Sequence, residues 1–375
     1  MWHNLGSDQE LFRDTTARFL EQHVGLAHQR KVLRHDPAGF DPGWWKSGAE
    51  LGWTMCLVPE AAGGGSVSGR GPTDAALIAY EFGRHAAPGP FVDCNITAAA
   101  LGRAGGHEAA LAALLGGEAV AGHCLGAAPW RRDPAIEIRR DGSDFIISGE
   151  VRPVESAGQA RWLLVTGASA GGMTQLLVPA DAPGIAIRPL KGMDVTRRFF
   201  AVGFSGVRLP AAALVGGFAR ADEAVSRQIA EAAVLLCAEA VGAMDAAFAM
   251  TLDYAFQRYT FGRALASYQA LKHRFADLKS WLEASHAVSD AAADALADDS
   301  PLAIETASAA KAYVGDKGPE LAQDCVQLHG GIGVTYEHDL HFFLRRVTVN
   351  RLLYGTPAEH RRLIAAIRLR EEKAA

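Results

Sequence analysis

Two stretches of this 375-residue chain carry side chains of a type and spacing suited to gripping a dinucleotide. One reads Arg258-Tyr259-Thr260-Phe261-Gly262; the other reads Gln327-Leu328-His329-Gly330-Gly331-Ile332-Gly333. A guanidinium offers bidentate donors to phosphate, an aromatic edge packs on adenosine, and glycines let backbone N–H groups come close to an anion. Taken singly, each stretch is an ordinary helix end or turn. Their combination is what points to a nucleotide.

With the residues around them, the two stretches resemble the flavin-binding C-terminal half of the acyl-CoA dehydrogenase family. Its pattern of Arg-x-x-Phe-Gly, then Gln and Asp on the next helix, matches Arg258, Phe261, Gly262, Gln269 and Asp277. Its Gln-x-x-Gly-Gly-x-Gly matches Gln327, Gly330, Gly331 and Gly333, and the Gly-Thr that opens its last helix is Gly355-Thr356. The resemblance covers nearly the whole chain. It implies FAD as cofactor, held by Arg258, Thr260, Phe261, Gly262, Gln269, Gln327, Gly330, Gly331, Gly355 and Thr356. It further implies α,β-dehydrogenation of an acyl-CoA thioester and an electron-transfer flavoprotein as electron acceptor.

That reaction needs a carboxylate to take the α-proton while a hydride leaves the β-carbon. The family's usual place for this base, just before Gly-Thr, holds Tyr354. A tyrosine with a reference pKa of about 10 is ionised in roughly one molecule in a thousand at neutral pH. Some relatives carry the base on the first long helix of the bundle. Counting back without gaps from Arg258, that position is Ala232, one residue from Glu231, and one residue is about 100° of helical rotation. Glu231 is the remaining candidate base, and Ala233 stands where such relatives place an arginine.

The middle of the chain departs further from the family. The expected Thr-Glu-Pro-Gly-type loop is replaced by Cys124-Leu125-Gly126-Ala127-Ala128-Pro129-Trp130. The Trp-Ile-Thr that packs on the flavin ring falls on Pro153-Val154-Glu155, where Glu155 is expected to turn to solvent. In the family the ring is held by a subunit's own β domain, while the Arg and Gly-Gly elements reach the neighbour's FAD. This chain keeps the second set and lacks the first. The pattern resembles the base-lacking subunit of a heteromeric dehydrogenase of two unlike subunits, whose substrates would include bulky acyl groups such as sterol side chains. Two alternatives stay open: a self-sufficient homotetramer using Glu231, and a protein of this fold with other flavin chemistry or a structural role.

The elements that must position these residues follow from periodicity. Apolar spacing near four predicts a helical domain over residues 1–118, starting with a helix from Leu5 to about Val24 capped by Ser7 or Asp8. Period-two runs such as Ile136-Glu137-Ile138-Arg139, with Asp141-Gly142 as a hairpin turn, predict an antiparallel β domain over 119–218, closed by Val207-Arg208-Leu209-Pro210. Residues 219–375 predict a four-helix bundle with long helices near 222–257, 268–298, 301–329 and 339–353, the third starting at Ser300-Pro301, and a short helix after Thr356.

Composition excludes other classes. A net charge of −5 with scattered Lys and Arg gives no field for nucleic acid. Five separated cysteines and thirteen histidines without a His-Glu-x-x-His pattern argue against disulfides and metal, and predict buried thiols in a reducing, cytoplasmic setting. No apolar run predicts a membrane span. His329 reads as a satisfied helix-end histidine, the run His338, His341, Arg345 and Arg346 as a solvated face, and Asp194 to Arg198 as unassigned.

Overall fold

The computed structural model describes residues 5–32, 39–131 and 133–374. Six helices come first: α1 (Ser7–Val24), α2 (Leu26–Val32), α3 (Pro42–Glu50), α4 (Gly71–Arg84), α5 (Phe91–Ala104) and α6 (Glu108–Leu115). The cap of α1 is Gly6, with the Gln9 side chain reaching back to its N–H, rather than Ser7 or Asp8. Asp41 caps α3 through the Trp44 N–H at 2.8 Å, which sets Trp44 and Trp45 against Trp53 and Phe82 in the core.

The sheet follows as β1 (Ala121–Leu125), β2 (Ile136–Asp141), β3 (Asp144–Glu155), β4 (Trp162–Ser169), β5 (Gly172–Pro179), β6 (Ile185–Leu190), β7 (Phe199–Leu209) and β8 (Leu214–Val215). Its order is β6-β7-β3-β2-β4-β5-β8 with β1 beside β4. Most pairings are antiparallel, but β1 and β4 run parallel, a mixed sheet that the hairpin signals did not anticipate. The Asp141-Gly142 turn forms as expected, with Asp141 opposite Asp144 and Gly142 at φ 65°. The strand ending at Leu209 is not the last, because β8 adds two residues to the edge. In β3 the register breaks between Val151 and Val154, so the Arg152-Pro153 segment leaves the ladder.

The bundle comprises α7 (Asp222–Gln257), the ribbon β9 (Tyr259–Thr260) and β10 (Arg263–Ala264), then α8 (Gln269–Ala297), α9 (Ala303–His329), α10 (Leu340–Asn350) and α11 (Pro357–Ala374). The third long helix starts at Ala303, not Ser300. Ser300 shapes the turn before it, its hydroxyl accepting from the Leu302 N–H at 3.2 Å. The final helix is 18 residues, longer than expected.

Helix α7 is the axis of the molecule. It is long and apolar enough to pass for a membrane span by composition, yet its residues from Ile229 to Met244 are buried in the protein core. Gly83 on α4 and Gly242 on α7 let these two helices touch backbone to backbone, since a Cβ on either would collide with a carbonyl of the other. One core spans the helical regions around α4, α7 and α9; a second fills the sheet around Phe145, Ile147, Val165 and Val202. Each fully buried Leu, Ile or Phe contributes about 1.5–3 kcal/mol.

Candidate functional site

The two nucleotide-type stretches meet at one end of the bundle. Arg258 leaves α7 in an extended conformation, and Phe261 and Gly262, with φ of 50° and 81°, turn the chain from β9 into β10. Positive φ is costly for an aromatic residue and marks a strained turn. Tyr268 braces that turn, its hydroxyl donating to the Thr260 carbonyl at 2.8 Å while Arg263 lies over its ring at 3.8 Å. Gln269 then opens α8. The second stretch ends α9, where Gly330 adopts φ 64°. Tyr254, one turn before Arg258, stacks on His329 with ring centroids 4.4 Å apart, which brings the stretches together.

Several side chains at this end are exposed. Phe261 is 98% exposed, and Phe256, Tyr259, Ile332, Val334 and Tyr336 are also largely exposed. Arg258, Gln269, Gln327, Gly330 and Gly331 face solvent, and the Arg258 guanidinium has no hydrogen bond or ion pair among the described residues. Exposed apolar side chains on both stretches, with the unpaired Arg258 guanidinium among them, suit an interaction surface. His329 is only half satisfied: Nδ1 pairs with the Cys325 carbonyl at 2.8 Å, and Nε2 has no partner.

Gly355 and Thr356 lie apart from this set in bonding. The Thr356 N–H and hydroxyl both donate to Glu359, at 2.7 and 2.8 Å, so its polar groups cap α11. Gly355, at φ 103°, passes its carbonyl to the buried Lys311 ammonium at 3.1 Å, which also binds the Asn350 and Arg351 carbonyls at 2.8 and 3.2 Å. Burial lowers the Lys311 pKa to about 8.

Gly355 instead borders a cavity of about 120 Å³, together with Asp93, His123, Trp130, Pro153, Glu155 and Tyr354. Its polar wall is assembled from three parts of the chain. Tyr354, at φ 54°, donates its hydroxyl to Asp93 on α5 at 2.7 Å and sits 3.0 Å from Nδ1 of His123 on β1. The His123 N–H donates to the other Asp93 oxygen at 3.2 Å. Burial, with Asp93 adding to it, pushes the Tyr354 hydroxyl well above the usual tyrosine range, so it is no base near neutrality. Burial raises the Asp93 carboxyl to about 7, with the Glu155 charge adding to it, and lowers His123 to about 4.

Next to this cavity a network of charges is fully buried. Arg197 clamps both Glu155 oxygens and donates to Asn350 at 2.7 Å. Arg346 on α10 donates to Asp194 at 2.7 Å, to Glu239 on α7 at 2.6 Å and to Thr196. It also reaches the Ala86 and Ala87 carbonyls between α4 and α5, at 3.1 and 2.9 Å. Asn350 closes the circuit to Glu239 at 2.7 Å. Glu155 is therefore not turned to solvent, and Arg346 is not on a solvated face. Arg345 is half-buried, bonding the Met193 carbonyl and the Tyr336 hydroxyl. The Asp194 to Arg198 segment is a centre of the network. A signal existed in the sequence: Phe343, Arg346, Val347 and Asn350 share one helical stripe at spacings of three, four and seven, so the polar pair had to be buried with the apolar one.

The position expected to pack on the flavin ring holds Glu155, buried in an ion pair with Arg197, a charged pair where the resemblance leads one to expect an indole against the ring.

Glu231 is buried on α7 but does not line the cavity. Arg103 donates to both of its oxygens, one at 3.1 Å, and Arg227 adds a bond at 3.1 Å. All five cysteines are buried and free. No group of three or more metal-type side chains occurs among the described residues.

Comparison with known proteins adds the following. The family model described as "Acyl-CoA dehydrogenase, N-terminal domain" matches residues 6–115, and "Acyl-CoA dehydrogenase, C-terminal domain" matches residues 222–369. The acyl-CoA dehydrogenase IpdE2 of Mycobacterium tuberculosis is 29% identical over 354 residues, covering 94% of each chain. Among solved structures, the Tcur3481-Tcur3483 steroid ACAD superposes with a TM-score of 0.87 at 24% identity, over 99% of this chain and 100% of the other. A glutaryl-CoA dehydrogenase from Mycobacterium smegmatis in complex with FADH2 gives a TM-score of 0.82 at 20% identity, over 96% and 94%.

Proposed function

The chain belongs to the acyl-CoA dehydrogenase family, oxidoreductases acting on acyl-CoA CH–CH bonds with FAD as cofactor, and from that premise we propose that it works as the base-lacking half of a heteromer, completing a partner subunit's FAD site. One observation supports this reading: Arg258 and Phe261 at the bundle end are exposed, with the Arg258 guanidinium unpaired among the described residues, while Glu155, at the position the family uses to hold the ring, is buried in an ion pair with Arg197. Arg258 would take a pyrophosphate oxygen, Phe261 would pack on the adenosine, and Gln269, Gln327 and the Gly330-Gly331 N–H groups would bind across the interface. Thr260 and Gly262 shape the turn that presents Arg258 and Phe261, and Gly355 and Thr356 play a structural part.

When bound in the assembled enzyme, FAD would supply the acceptor for the hydride of the β-carbon. The residue that takes the α-proton belongs to the partner, since both candidates in this chain are otherwise engaged. Tyr354 keeps its proton, and both Glu231 oxygens accept from guanidiniums on the side of Arg103. The structural neighbour named a steroid ACAD favours a bulky acyl-CoA substrate, and an electron-transfer flavoprotein is the acceptor proposed. The buried thiols suit a cytoplasmic setting.

Flavin per chain is the deciding measurement, made on the purified chain with and without subunits encoded beside it. Substoichiometric flavin and no acyl-CoA oxidation alone, both restored by one partner, is the expected result. Stoichiometric FAD and unaided turnover would sink the heteromer.

A further inference from the structure

The loop between the second stretch and α10, residues 335–339, takes its hold from another part of the chain. Its own backbone is tied at the two ends, where the Thr335 N–H donates to the Ile332 carbonyl at 3.1 Å and the Phe342 N–H to the Asp339 carbonyl at 3.0 Å. Between those ties the contacts come from Arg30 on α2, 306 to 309 residues earlier. Its Nη1 donates to the Tyr336 carbonyl at 2.9 Å, its Nη2 to the Glu337 carbonyl at 2.6 Å and its Nε to Asp339 Oδ1 at 2.6 Å. All three guanidinium nitrogens go to this one loop. A cavity of about 160 Å³ borders both α2 and the loop, lined by Gln29, Arg30, Val195, Tyr336, His341 and Phe342. Packing there is incomplete, and the guanidinium supplies the contact.

What the loop carries gives this contact its reach. His338 sits in it, and its ring meets His329 edge to face with centroids 4.4 Å apart. His329 in turn stacks on Tyr254 at 4.4 Å, one turn before Arg258. Three rings therefore run from the clamped loop to the place where the two nucleotide-type stretches meet. Fixing the loop fixes the outermost ring, and through ring contacts of this geometry the inner two.

We propose that Arg30 is a positioning residue for the nucleotide grip: it touches no nucleotide itself, and it acts through the His338–His329–Tyr254 stack to hold Arg258 and Gly330-Gly331 in a fixed relation. The inference rests on the proposed trans role for its flavin readout alone, because the state of the stack can be followed without flavin.

The test uses the full chain, alone for amide exchange and in the assembled complex for FAD retention, and compares Arg30→Met and Arg30→Lys with the parent and with Arg258→Ala. Exchange at Thr335 and Phe342 reads the loop, and exchange at Arg258, whose N–H is bonded to the Tyr254 carbonyl at 2.8 Å, reads the far end of the stack. Arg30→Met should speed exchange about tenfold in the loop and about threefold at Arg258, leave residues 229–244 of α7 unchanged, and lower FAD retention roughly tenfold. Arg30→Lys, which keeps a cation beside Asp339, should recover part of each change. Faster exchange in the loop with unchanged exchange at Arg258 would mean that Arg30 holds only its own loop and would overturn the assignment. If Arg258→Ala leaves flavin unchanged, the trans role fails, and exchange at Arg258 alone then decides for or against Arg30. Should Arg30→Met fold poorly, Asp339→Ala removes the charged acceptor only and is expected to show the same changes at smaller size; no change at Arg258 in that variant would count against the proposal.

Discussion

The junction around Arg346 and the end of the bundle around Arg258 use the same side chain in opposite ways. At the junction every guanidinium nitrogen of Arg346 donates to a carboxylate, carbonyl or hydroxyl, and the group is fully buried. At the bundle end the guanidinium is exposed and bonded to nothing within the chain. An arginine enclosed by its own acceptors holds a fold together, and one left without them is available to another molecule. The difference separates stability from recognition within one polypeptide, and substitution can test the separation.

The largest effect should come from Arg346→Met, which leaves Asp194 buried without its bonded cation and Glu239 with Arg197 alone, at 3.3 Å. A loss of about 3–5 kcal/mol in chemical denaturation is expected. A loss below about 1 kcal/mol would mean that the junction is not the keystone described. Arg258→Ala should do the reverse: stability within about 0.5 kcal/mol of the parent, with FAD retention by the assembled complex down roughly tenfold or more. Unchanged flavin content would remove Arg258 from the recognition side. Glu231→Gln should lower stability by about 1–3 kcal/mol, because two arginines lose a charged acceptor, and should leave turnover of the complex intact. Abolished turnover with normal flavin would restore Glu231 as the base.

A smaller effect concerns pH. The folded Asp93 carboxyl titrates near 7, above the ordinary range, so the folded state holds this proton more tightly than the unfolded one. Its contribution is fully present below the unfolded pKa and is lost as pH rises through about 7. Melting temperature should therefore fall from pH 5 to pH 8 more steeply in the parent than in Asp93→Asn, and parallel curves would refute the assignment. The smallest expected change is Phe261→Ser, neutral in melting temperature yet weakening association with the partner, as measured by sedimentation.

How much of this was legible in the sequence depended on whether the signal was local. Helix α7 could be read from residues 222–257 because apolar residues recur along its 36 residues, and the β2–β3 hairpin because Asp141-Gly142 states its own turn. Arg258, Phe261 and the Gly330-Gly331 turn form one end as the motifs imply. The buried network was legible only at Arg346 and Asn350, through their stripe with Phe343 and Val347. Glu155, Arg197 and Glu239 are far apart along the chain, and their pairing shows only once the fold is formed. Nor could the Asp93–Tyr354–His123 chain be found, since its members come from α5, the turn before α11 and β1 and share no motif. The parallel pairing of β1 with β4 escaped because period-two alternation says nothing about strand direction.

The hold of Arg346 on the Ala86 and Ala87 carbonyls sets a limit on dissection. A fragment beginning at α7 would carry this cation without its acceptors at Asp194, Thr196, Ala86 and Ala87, keeping Glu239 alone. The first and last thirds of the polypeptide are thus one cooperative unit despite the sheet between them, and neither is a module to be transplanted by itself.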